Sequence, residues 1–355
     1  MNEAPLHDSE FAASVMAVPP LARRADYTLD PEQNLALIRH IEAGGVRTLL
    51  YGGNANLYHT AVSEYRELLD LLADAASPAT RVIPAIGPDY GKMLDQARIL
   101  AQTRYRTAMV LPPGGFTTAE GVETGLARIA DTAAMPLTVY IKSENYVDVD
   151  ALARLVERGT LCAIKYAIVR DDPAHDPYLQ RLLRSVPAAK IISGMGERPA
   201  LVHLREFGLA AWTTGSGCIA PRMVMALLQA ARHECGNERS NERRHERSSE
   251  RNNERSNERG NERSNERSNG GDPVQPLYDA FLPLETLRDE ISLIRVLHDA
   301  VTLSGIANMG PLLPLLSSTP PGHHAKIAQA AHMLLARERE FAHTHPNLSH
   351  TQVSA

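Results

Sequence analysis

From residue 14 onward the chain alternates short apolar runs with longer segments that carry an apolar stripe at helical spacing. The runs are SVMAVPP (14–20), TLLYGG (48–53), RVIPAIG (81–87), TAMVLPP (107–113), LTVYIK (137–142), LCAIKYA (161–167), KIISGMG (190–196) and AAWTTGSG (210–217). They are short and have no helical apolar stripe, which suits strands buried on both faces, as in a parallel sheet. The first helix is predicted from Pro31, with Asp30 as its N-cap and Gly44-Gly45 closing it. Further helices are predicted over 61–75, from about Lys92, over 117–134, from a cap at Asp148 or Asp150, from near Pro173, over 198–207, and from Pro221, a favourable first-turn residue. Eight strands, each followed by a helix, predict a (β/α)8 TIM barrel. A doubly wound open sheet is the alternative, but no GxGxxG follows the first strand to support it.

The pattern breaks at residue 237. From there to residue 269 an Asn-Glu-Arg-Ser repeat holds eight Glu, nine Arg and no apolar residue. Such a segment cannot bury enough surface to offset its ordering entropy, so it reads as a disordered insert that carries no chemistry. Helical stripes resume over 284–303 and 324–341. The expected organisation is an N-terminal tail (1–13), a barrel (14–236), the insert (237–271), C-terminal helices (272–342) and a frayed tail (343–355).

Composition narrows the functional classes. The formal net charge of -5 offers no basic footprint for nucleic acid. No apolar run reaches the roughly 18 residues of a membrane helix, and the N-terminus is polar and acidic, unlike a secretory signal. Cys162, Cys218 and Cys235 are odd in number and form no CxxC pair. That fits a reducing compartment, and a cytoplasmic location is the expectation. No HExxH and no Cys/His set with zinc spacing is present, so no metal is expected.

The candidate chemistry centres on Lys165, the lone charge inside LCAIKYA. A buried ammonium is costly unless its pKa falls until it is neutral, and a neutral desolvated amine is what Schiff-base chemistry requires. A lysine that snorkels to solvent or pairs with a carboxylate is the competing reading. Barrel sites lie at the C-terminal strand ends, which here supply Gly53-Asn54, Tyr140, Lys142, Lys165, Gly194 and Thr214. Strand period puts Tyr140 and Lys142 on one face, next to the strand of Lys165. A phenol there could move protons during carbinolamine dehydration.

These residues carry a resemblance. Ala163-Ile164-Lys165, Tyr140 in VYIK, GGNANLYHTAVSEY (52–65), ISGMG, GSGCIAP and NMGPLLPLL resemble the dihydrodipicolinate synthase/N-acetylneuraminate lyase family of class I pyruvate-handling aldolases. The likeness runs over about 14–316 apart from the repeat. It implies a Schiff-base lyase (aldolase, dehydratase or synthase) acting on pyruvate or a related 2-keto acid. Lys165 would form the imine, Tyr140 would transfer protons, and no metal or organic cofactor would be needed. It also implies a homo-oligomer, tetramer or dimer.

The departures are specific. Paired threonines of the family become Gly53 and Asn54, its glutamate becomes Asn56, and its strand-four tyrosine is lost within Pro113-Gly114. The arginine that grips a second carboxylate falls at Asn145, and Tyr166 stands where an acidic residue is common. Gly53 and Asn54 would then meet the keto-acid carboxylate through backbone amides and the Asn amide, with Lys142 taking part of that role. Asn145, Gly194 and Thr214 complete the substrate-facing set. Two other readings are a phosphate-binding TIM-barrel enzyme using the glycine turns after strands seven and eight, and a non-catalytic keto-acid binder.

Overall fold

A computed structural model describes residues 1–234, 236 and 274–345. A short helix, α1 (Asp8–Ala13), precedes eight strands: β1 (Met16–Ala17), β2 (Thr48–Tyr51), β3 (Arg81–Ile86), β4 (Ala108–Val110), β5 (Leu137–Ile141), β6 (Leu161–Tyr166), β7 (Ile191–Ser193) and β8 (Ala211–Thr214). All pair in parallel with their sequence neighbours, and β1 closes the ring on β8 through Met16↔Thr213. The expected barrel is therefore the observed one. Helices α2 (Pro31–Ala43), α3 (Val62–Ala75), α4 (Tyr90–Leu100), α5 (Ala119–Ala133), α6 (Val149–Glu157), α7 (Pro177–Ser185), α8 (Ala200–Phe207) and α9 (221–234) follow the strands in turn.

The regular strands are shorter than the apolar runs that mark them. Beyond β1, β4, β6 and β7 the parallel ladder continues by single hydrogen bonds, Val18 to Thr214, Leu111 to Ile86, Ala167 to Ile141 and Gly194 to Tyr166. Pro19, Pro20, Pro112 and Pro113, having no N–H to donate, then take the chain out of the sheet. The strand residues are almost all buried, so the lysine in β6 is enclosed by barrel wall on both sides.

Helix starts follow their caps. Asp30 accepts from Gln33 N at 3.2 Å and Asp148 accepts from Asp150 N at 2.8 Å. The seventh helix begins at Pro177, later than the expected start near Pro173, because Asp176 caps it by accepting from Leu179 N at 3.0 Å. The apolar stripe over 284–303 is divided between two helices, α10 (Val274–Glu290) and α11 (Leu293–Leu303). Ser292, extended and accepting from Arg295 N, opens the second. With α12 (Pro321–Thr344) they form a three-helix layer, and α10 touches the 3₁₀ turn Ser216–Cys218 that follows β8.

The expected insert (237–271), Cys235 and the chain beyond residue 345 lie outside the described residues. Among the described residues Cys162 and Cys218 are free and buried. No helix among them is long and apolar enough to cross a membrane, and no group of three or more His, Cys, Asp or Glu could hold a metal ion.

Candidate active site

Lys165 lies in β6 with 7% of its surface exposed, directly opposite Tyr140 of β5 in the ladder. Its ammonium nitrogen sits 4.0 Å from the centroid of the Tyr140 ring. Lys142, one residue past the end of β5 and exposed, places its nitrogen 5.9 Å from the same centroid. Two lysines thus flank one phenol. The ring face favours a cation by about 0.5–2 kcal/mol. Burial opposes it, aided by the positive charges of Lys142 and Arg288, and together they bring the Lys165 pKa from 10.5 to about 7. That drop corresponds to roughly 5 kcal/mol against the ammonium, so burial wins over the ring. Near neutral pH a large share of Lys165 is free amine. Burial also raises the Tyr140 hydroxyl pKa well above its ordinary value, with Tyr58 adding to the effect. Tyr140 is therefore held in its protonated form.

The approach of β7 is set by a glycine. A Cβ on Gly194 would lie 2.9 Å from Lys165 Cγ and 2.9 Å from Tyr166 O, so a side chain there would displace the lysine stem. The end of β6 is anchored from behind. Tyr166 Oη donates to Asp176, which also pairs with Arg170 at 3.0 Å while capping α7.

Beyond β7 and β8 lies a buried polar cluster. Thr214 Oγ1 donates to Glu197 and accepts from Gly217 N at 2.7 Å. Ser216 Oγ donates to Glu285, and Arg288 Nη1 donates to Glu285 at 2.5 Å. Glu285 and Arg288 come from α10, outside the barrel. Their entry depends on Gly215, where a Cβ would stand 2.5 Å from the Arg288 guanidinium carbon. Burial and the neighbouring Glu285 push the Glu197 carboxyl far above the carboxylate range. Among the described residues its Oε2 is buried with no hydrogen-bond partner. An acid that stays protonated can donate a hydrogen bond at neutral pH.

The residues expected from the sequence fall into three groups. Lys165, Tyr140, Lys142 and Gly194 are brought together. Gly53 and Asn54 lie half-buried at the end of β2, and Gly53 faces the ring of Tyr58. Thr214 is buried with its hydroxyl hydrogen committed to Glu197, and Asn145 is exposed on the loop before α6. The glycine turns after β7 and β8 are lined by Glu197, Glu285 and Arg288.

Four nearby side chains were not foreseen: Tyr58, Glu197, Glu285 and Arg288. The last two did leave a signal. Phe281, Leu284, Glu285 and Arg288 share the buried stripe of α10, where an ion pair is out of place unless it serves a polar partner.

No family model and no curated protein matches the chain. Solved structures do. Dihydrodipicolinate synthase from Bacillus clausii is 18% identical, with a TM-score of 0.71 over 93% of this chain and 99% of that one. N-acetylneuraminate lyase (sialic acid aldolase) from Aliivibrio salmonicida is 15% identical, with a TM-score of 0.68 over 91% and 96%. A catalytic lysine mutant of the Ruminococcus gnavus sialic acid aldolase is 11% identical, with a TM-score of 0.72 over 94% and 98%. The chain has the fold of these proteins along nearly their whole length.

Proposed function

We propose that this chain is a class I lyase, an aldolase, dehydratase or synthase that handles pyruvate or a related 2-keto acid through an imine on Lys165. The observation that carries the reading is the buried Lys165 amine near the end of β6, 4.0 Å from the centroid of the Tyr140 ring, where burial lowers its pKa to about 7. The fold shared with dihydrodipicolinate synthase and with an aldolase that has a catalytic lysine supports it.

The chemistry follows from the pair. The Lys165 lone pair attacks the C2 carbonyl carbon, and the carbonyl oxygen takes a proton as the nitrogen gives one up. The hydroxyl then leaves as water, carrying a second proton, while the nitrogen pair closes the C=N bond. Tyr140, protonated and beside the amine, is placed to give and recover the proton that the departing oxygen needs. The protonated imine withdraws electrons from C3, so a bond at C3 or C4 can break or form. Lys142, with the backbone amides of Gly53 and Asn54, would receive the carboxylate. The acid Glu197, held by Thr214, would offer a hydrogen bond to a neutral oxygen further along the substrate.

The test is chemical trapping. Incubation with pyruvate and borohydride is expected to add one reduced pyruvyl group, mapped to the peptide that contains Lys165. An adduct on another lysine, or none with pyruvate and a panel of longer keto acids, would refute the proposal.

A further inference from the structure

Two lysines at the barrel mouth share one aromatic ring and no counter-ion. Tyr140 pairs with Lys165 in the β5–β6 ladder, and Lys142, two residues on, stands on the same face of the chain as Tyr140. The lysine nitrogens lie 4.0 Å and 5.9 Å from the Tyr140 ring centroid, so no more than the sum of those distances separates them. Among the described residues no carboxylate pairs with either lysine. The acid nearest to Lys142 in sequence, Glu144, is drawn to Arg170 at 2.5 Å, and Arg170 is held in turn by Asp176 at 3.0 Å. The charge of Lys142 is left uncompensated.

The groups that face Lys165 single out that charge. From β5 come Tyr140 and Lys142, from α10 comes Arg288, and from β7 comes the uncharged Gly194. Tyr140 is held as the neutral phenol. Arg288 donates to Glu285 at 2.5 Å, so at a distance it acts as an ion pair, whose field falls off faster than that of a lone charge. After burial, Lys142 is accordingly the larger influence on the Lys165 amine, ahead of Arg288. Its exposed position keeps the arrangement inexpensive, because the cation stays in water while its field reaches the enclosed amine.

We propose that Lys142 is a positioning residue for the nucleophile: its unpaired charge repels a proton from Lys165, so that Lys165 meets the keto acid as a free amine with no base beside it. The inference rests on the imine reading above. It gives Lys142 a task before substrate arrives, separate from receiving the carboxylate.

The experiment is trace acylation with acetic anhydride, read at the Lys165 peptide by mass across a range of pH. The reagent reacts with free amines and carries no carboxylate, so lost substrate binding cannot imitate the effect. For the wild-type protein the midpoint is expected at about 7. In Lys142→Met it is expected to rise by about one pH unit, the scale of repulsion between charges several ångströms apart near a protein surface. Lys142→Arg keeps the charge and is expected to stay at the wild-type midpoint. An unmoved midpoint in Lys142→Met would overturn the proposal, as would an equal shift in Lys142→Arg, which marks a packing role for the side chain. A second measurement needs no variant. Raising salt from about 0.1 to about 1 M shortens the screening length from about 10 to about 3 Å, so the wild-type midpoint is expected to climb toward that of Lys142→Met. A midpoint indifferent to salt overturns the proposal. Acylation needs no imine. If pyruvate leaves no adduct on Lys165 while the midpoint moves as expected, the imine reading falls and the charge effect stands. An adduct with an unmoved midpoint removes the role of Lys142 alone.

Discussion

A lysine inside a barrel strand costs stability, and the cost has a pH signature. Because the pKa of Lys165 falls from 10.5 to about 7 on folding, the unfolded chain binds its proton more tightly. The penalty is therefore full below pH 7, shrinks as pH rises from about 7 toward 10.5, and vanishes above that range. Lys165→Met is expected to raise stability by up to roughly 5 kcal/mol at the acid end and by almost nothing near pH 10.5. Urea unfolding of both proteins at several pH values would show it; an equal gain at every pH would contradict it. Tyr140→Phe is expected to preserve stability while slowing imine formation about 100-fold, the lower range for general acid–base groups. Stopped-flow or quench measurements of adduct formation check this. The Lys165–Tyr140 pairing was legible in the sequence because a lone lysine in an apolar run is conspicuous and strand period aligns it with the tyrosine next door. Tyr58 was not legible. Its place against Gly53 depends on how the turn after β2 folds, which no local period encodes.

At the scale of elements, caps decide where helices begin, and one cap also serves the site. Asp176 caps α7, receives the Tyr166 hydroxyl and pairs with Arg170, with its side chain fully enclosed. Asp176→Ala removes a cap worth about 1 kcal/mol and strands the buried Tyr166 hydroxyl at a further 1–3 kcal/mol. A stability loss of about 2–4 kcal/mol in chemical denaturation is the expected result, with lower Lys165 trapping because the end of β6 loosens. Loss below about 0.5 kcal/mol would show that the anchor is dispensable. The same aspartate explains a sequence error. Asp171-Asp172-Pro173 offers an earlier start signal for α7, and only the burial of Asp176 against Tyr166 makes the later cap the one used. The division of the 284–303 stripe has a similar origin. Apolar periodicity continues across Ser292, but that residue takes an extended conformation and starts a new helix.

For the whole molecule, the order of eight strands and helices was readable from alternation alone, because each parallel strand is buried on both faces and each helix on one. The reach of α10 into the barrel mouth was not, since Glu285 and Arg288 meet Ser216 and Gly215 only after the chain has closed the barrel. The repeat between α9 and α10 carries no apolar residue, and we propose that it contributes neither to the core nor to the chemistry. Removing three Asn-Glu-Arg-Ser units is expected to leave Tm and the Lys165 adduct unchanged. A fall in either would assign the segment a role.

The central proposal is that burial keeps a large share of Lys165 as free amine at physiological pH, able to attack a keto acid. The most direct measurement is the rate of pyruvate adduct formation at Lys165 as a function of pH, captured with cyanoborohydride and read by peptide mass. The account predicts a rate that rises with pH and levels off around a midpoint of about 7, with surface lysines still unlabelled there. A midpoint near 10.5, or labelling spread over exposed lysines with Lys165 untouched, would contradict it.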